Sequence, residues 1–139
     1  VILTVSGWRE WTDVEFVLSR FRGYMRDYQY NLYVRVGCCG RGVDKIIRDR
    51  LFVPGTGIQF IVYYADWSLP NRSGGPVRNK QMLRGENVND LYPNQVADRL
   101  LAFPQPGINW KKDKSGTVGC ILEAVGLGVD LDVPGYIIK

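Results

Sequence analysis

The sequence predicts a three-layer α/β/α fold around a mostly parallel sheet. Three observations predict it. Four largely apolar runs, "VILTV", "NLYVRV", "IQFIVYY" and "DRLLAF", read as strands, the first three continuous enough to be covered on both faces. Each is followed by a segment whose apolar residues recur at helical spacing. The order strand–helix therefore repeats four times, and helical crossovers between such strands produce a parallel sheet with right-handed connections.

The first strand stops at Ser6-Gly7. The helix after it is capped by Thr12 or Asp13, and Val14, Val17, Leu18, Phe21 and Met25 form its core stripe. The second strand runs from Asn31 into "GCCGRGVDK", after which Val43, Ile46, Ile47 and Leu51 mark another helical face. "VPGTG" is a turn, and Ile58 to Tyr64 is the third strand. The long segment "ADWSLPNRSGG" leads into a short helix beginning near Pro76, since proline suits a first turn where its missing N–H has no partner anyway. Residues 85–97 are irregular and polar, and "DRLLAF" is the fourth strand. "PQPGINWKKDKSG" is an extended loop, "TVGCILEAVGLG" the last long helix, and "GYIIK" a candidate terminal strand.

With 139 residues and 45% hydrophobic content, residues 1–139 suit one domain with a real core. Val1 opens directly in a strand pattern, with no signal-peptide layout and no membrane-length apolar run. The three cysteines, two of them adjacent at Cys38 and Cys39, make a poor disulfide framework, so the expected location is the reducing cytoplasm. The net charge of +4 and pI of about 9.1 favour anionic partners without choosing among them. The absence of histidine excludes serine–histidine and cysteine–histidine relays and histidine-ligated metals. No metal and no cofactor is expected.

Ligands of such sheets bind beyond the C-terminal strand ends, where the strand order switches. Four segments leave the sheet there: "SGWREW", "GCCGRG", "ADWSLPNRSGGPVRNK" and "PQPGINWKKDKSGT". They are also the segments richest in glycine, arginine, lysine and tryptophan. In the second, Gly37, Gly40 and Gly42 allow close backbone approach, and the helix start behind them offers free N–H groups to a phosphate. The spacing is neither a Walker loop nor the dinucleotide fingerprint. Arg41 is placed to reach an anion, and Asp44 serves either as a helix cap or as acceptor for a ribose hydroxyl. Ser115, Gly116 and Thr117 stand before the last helix, as phosphate ligands or as caps.

Arg78 and Lys80 fall near the start of the short helix, where cations are unfavourable unless something negative joins them. A bound phosphate supplies that charge, or Asp66 folding back does. Asn79 is a candidate to hold loop backbone or a base edge. Trp8 and Trp67 are placed to stack on a base or to pack the loops down, while Trp11 reads as a staple onto its helix. Trp110 beside Lys111, Lys112 and Lys114 is either a nucleic-acid contact or a solvated loop anchored by one indole. Among Glu10, Asp13, Asp44, Asp66 and Glu123, Asp66 is the best-placed acid–base candidate, with loop capping as its alternative. Cys38 and Cys39 read as small packing residues.

The set "TVSGWREWTD", "GCCGRGVD", "ADW…GGPVRNKQM" and "LLAFP…SGT" resembles the YspA-type branch of the SLOG superfamily, whose wider membership includes DprA and the LOG phosphoribohydrolases. The resemblance covers nearly the whole chain. It implies a Rossmann-like fold holding a nucleotide or nucleotide-derived ligand, and self-association into dimers or larger. It places Ser6, Gly7 and Arg9 at the first-strand motif, Arg41, Gly42 and Asp44 at the second, and Asp66 with Trp67 at an acid–tryptophan pair. Gly75, Pro76, Arg78, Asn79 and Met82 match its GPxRN-x-x-M pattern, and Pro104, Gly116 and Thr117 match the remains of a P-G-G-x-G-T loop. Cys120 stands where LOG enzymes carry the glutamate that takes part in cleaving the base–ribose bond, which argues against LOG-type hydrolysis.

The expected function is binding or sensing of a nucleotide-like small molecule. The alternatives are a nucleotide-processing hydrolase or transferase using Asp66 and Arg78, and DprA-like binding of single-stranded nucleic acid. Tyr24, Tyr28 and Tyr30 are candidate surface aromatics for a homo-oligomer.

Overall fold

A computed structural model describes residues 1–28, 31–53, 55–108 and 116–134. The strands are β1 (Ile2–Gly7), β2 (Tyr33–Gly37), β3 (Gln59–Tyr63), β4 (Arg99–Phe103) and β5 (Asp130–Asp132). The helices are α1 (Val14–Tyr28), α2 (Val43–Leu51), α3 (Gly74–Arg84) and α4 (Gly116–Leu127), with a 3-10 turn at Pro70–Arg72. All neighbouring strands pair in parallel, in the order β3-β2-β1-β4-β5. This is a three-layer α/β/α fold of Rossmann-like topology.

The two faces follow from the strand period of two. Leu3 and Val5 of β1, Val34 and Val36 of β2, and Leu101 and Phe103 of β4 pack with α1 and α2 through Val17, Phe21, Val43 and Ile47. The alternate residues Leu100 and Ala102 pack on the other face with Leu83 of α3 and Cys120, Ile121 and Ala124 of α4. Each fully buried aliphatic or aromatic side chain contributes about 1.5–3 kcal/mol, so both layers are needed to hold the sheet. Among the described residues no helix is long and apolar enough to cross a membrane.

Several element boundaries differ from the sequence reading. β1 continues through Gly7, which pairs with Phe103 of β4. Asp13, not Thr12, caps α1, accepting from the Phe16 amide at 3.1 Å. The fifth strand is Asp130–Asp132, and "GYIIK" lies outside the described residues. Helix α3 begins at Gly74, two residues before the expected Pro76, and Gly74 packs against the Asp66 carbonyl, where a side chain has no room.

Tyr24 is not a surface aromatic. It is buried, and its hydroxyl donates to Asp132 at 2.5 Å while Arg99 lies over its ring. Tyr28 is half-buried against the α1–α2 core, and Tyr30 lies outside the described residues. The polar segment 85–97 has no helix or strand, yet it is pinned by a buried charge. Arg35 in β2 is fully buried and donates to Asp90 at 2.9 Å and to the carbonyls of Gln95 and Tyr92 at 2.8 and 3.1 Å. Tyr63 completes the cluster by donating to Asp90 at 2.6 Å.

Candidate functional site

The chain leaves β1 toward β2 on one side and reaches β4 on the other, so the strand order switches between β1 and β4. The Trp8 amide donates to the Phe103 carbonyl at 2.8 Å and holds the loop after β1 against the end of β4. Gly42 begins α2 with φ of +72° and no side-chain cap. A Cβ there would fall 2.5 Å from the Arg9 Cα and the Trp8 carbonyl oxygen, so only glycine lets α2 start against this loop.

Above the switch point lies a cleft of about 840 Å³. Ser6, Gly7, Trp8 and Arg9 contribute one wall. The loop after β2 contributes Cys38, Cys39, Gly40 and Arg41, with Asp44 from the first turn of α2. Trp67, Arg78 and Asn79 come from the third segment, Met82 from α3 just beyond it, and Gln105, Gly116 and Thr117 from the fourth. All four segments singled out in the sequence thus converge on one space.

Arg78 projects from the second turn of α3 toward the strand ends. Its Nε donates to Asn79 Oδ1 at 3.1 Å and its Nη1 to Cys38 Sγ at 3.5 Å. Asn79 is buried and donates to the Gly116 carbonyl at 3.1 Å, which ties α3 to the start of α4. With α3 beginning at Gly74, Arg78 and Lys80 stand beyond the first turn, where the dipole penalty has faded. The expected repulsion at the helix start is therefore absent, and Lys80 is exposed.

Asp44 does not cap α2. It is only 6% exposed, and the Cys39 amide faces its carboxylate. Burial raises its carboxyl above the usual range, against the opposing pull of Arg78, the Cys39 amide and Arg48. Arg41, which lines the cleft, pairs with Glu10 at 2.8 Å, both side chains being well exposed. Beneath the cleft, burial pushes the Cys120 thiol up to about 12, so it is protonated at neutral pH.

Not every expected residue reaches the cleft. The Asp66 carboxylate accepts from the Ser68 hydroxyl and amide at 2.5 and 3.0 Å, which holds it below the usual carboxylate range, in its own loop and outside the cleft lining. Gly75 and Pro76 stay in the first turn of α3, and Pro104 is buried at the end of β4. Gly42 supports the wall from behind without lining it. Trp110, Lys111, Lys112, Lys114 and Ser115 lie outside the described residues. Trp11 stacks on Phe16 and meets Phe103 edge-on, the expected staple. Trp67, by contrast, is 69% exposed and borders the cleft.

Four lining residues were absent from the set expected to bind. Cys38 and Cys39 read in the sequence as packing residues, although they share a glycine-rich segment with Arg41. Met82 belongs to the GPxRN-x-x-M pattern, while nothing local distinguished Gln105.

Fold and cleft together define a Rossmann-like α/β protein with a polar, arginine-bearing crevice at its strand switch point. Comparison with protein-family models, curated proteins and solved structures gives no match for the chain.

Proposed function

We propose that the chain binds a nucleotide or nucleotide-derived ligand in this cleft, as a binding or sensing protein of the YspA-type branch of the SLOG superfamily. The observation that carries this reading is the convergence of Arg9, Arg41 and Arg78 with the starts of α2 and α4 around one cleft. Helix starts offer unpaired N–H groups and partial positive charge, and arginines add planar forks of donors suited to phosphate. Trp8 and Trp67 border the same space and offer faces for a base.

A second reading, a nucleotide-processing hydrolase or transferase, is favoured by Asp44, a buried carboxyl with a raised pKa lining the cleft beside an arginine. Native mass spectrometry of the protein incubated with a nucleotide mixture tests both. An intact retained nucleotide is the expected result. Release of free base or phosphate would favour processing, and retention of no nucleotide would overturn the proposal. A steep loss of affinity with rising salt would instead mark a polynucleotide ligand, because many counterions are then released.

A further inference from the structure

Asp44 and Arg78 close together over Gly37 at the end of β2. A Cβ built on Gly37 would fall 2.6 Å from Asp44 Oδ2 and 2.7 Å from Arg78 Nη1, so both groups crowd the place where any other residue would carry a side chain. They do not form a direct ion pair with each other, although both line the cleft. Asp44 is buried, and its carboxylate faces the Cys39 amide with the Arg78 and Arg48 charges nearby.

A ligand group that satisfies both neighbours must donate to the carboxylate and accept from the guanidinium. A phosphate only accepts, and an exocyclic amine in effect only donates. A hydroxyl does both. We propose that Asp44 and Arg78 form a hydroxyl-reading subsite, in which a sugar hydroxyl of the bound ligand donates to Asp44 and accepts from Arg78. The cleft is then selective for ribonucleotides over deoxy and dideoxy counterparts. This rests on the nucleotide-binding reading above and names the sugar class that the reading leaves open. Gly37 is the enabling residue, since a methyl group there would press on both side chains.

The test is calorimetric titration of the wild-type chain with adenosine and guanosine 5′-diphosphates and their 2′-deoxy and 2′,3′-dideoxy analogues. The ribonucleotide of at least one base should bind about tenfold or more tightly than its dideoxy analogue, the loss expected when a buried polar group is left unpaired. Asp44→Ala should reduce that ratio to about twofold or less, by weakening the ribonucleotide and sparing the dideoxy form. Equal binding of ribo and dideoxy forms to the wild type would end the hydroxyl subsite and leave the nucleotide cleft standing. Full discrimination in Asp44→Ala would also end it. Binding of none of these nucleotides would end both ideas. The wild-type comparison requires no variant to fold.

Discussion

Arg35 and Asp90 place a complete ion pair inside the protein, both side chains fully buried. Such a pair is stable only because its remaining donors and acceptors are filled, here by Tyr63, Gln95 and Tyr92. Burial by itself pushes the Asp90 carboxyl up, but the hydrogen bonds from Tyr63, Arg35 and the Tyr92 amide outweigh it and hold the group below the usual range. A depressed folded-state value contributes stability that is fully present above the unfolded carboxylate range, near pH ~3.9, and is lost as pH falls through the folded value. Asp90→Asn should therefore cost about 3–5 kcal/mol in urea denaturation at neutral pH, with the deficit shrinking in acid. A cost below about 1 kcal/mol would show that the pair does not hold the 85–97 segment. Sequence reading could not see this cluster. Arg35 sits within an apolar run, and its partner lies 55 residues further along the chain.

At the scale of elements, the start of α2 fixes one wall of the cleft. Gly42 combines positive φ with contact to the loop after β1, whereas Gly40, two residues earlier, has ordinary φ and no atom within 4 Å of a built Cβ. Gly42→Ala should cost about 1–2 kcal/mol from backbone strain alone, and more from the clash. Thermal denaturation should show a fall of roughly 3 °C or more, with Gly40→Ala close to wild type. Equal melting temperatures for the two variants would refute the close approach of loop and helix. The glycine cluster and the helix after it were legible because turn residues and helical periodicity are local signals. The start of α3 was not, since proline is tolerated anywhere in a first turn and so does not mark which residue opens the helix. β5 was missed because "DLD" is short and acidic and has no strand-like apolar pattern, so the apolar "GYIIK" drew the assignment instead.

For the whole molecule, four repeats of strand and helix made the layered parallel sheet readable, and the rule for strand ends then pointed to four loops. What it could not supply was reach. Arg78 crosses from α3 to Cys38 at the end of β2, while Asp66, equally plausible on paper, folds onto Ser68. Those choices depend on helix position and loop conformation, which residue types alone do not fix. The central claim is that Arg78 is the cation at the heart of a nucleotide cleft. Its most direct measurement is titration of one retained nucleotide into wild type, Arg78→Ala and Arg22→Ala, the last a matched loss of charge on the exposed face of α1. The account predicts an affinity loss of about tenfold or more for Arg78→Ala, the value of a charge-assisted contact, and none for Arg22→Ala. Equal affinities across all three proteins would contradict it.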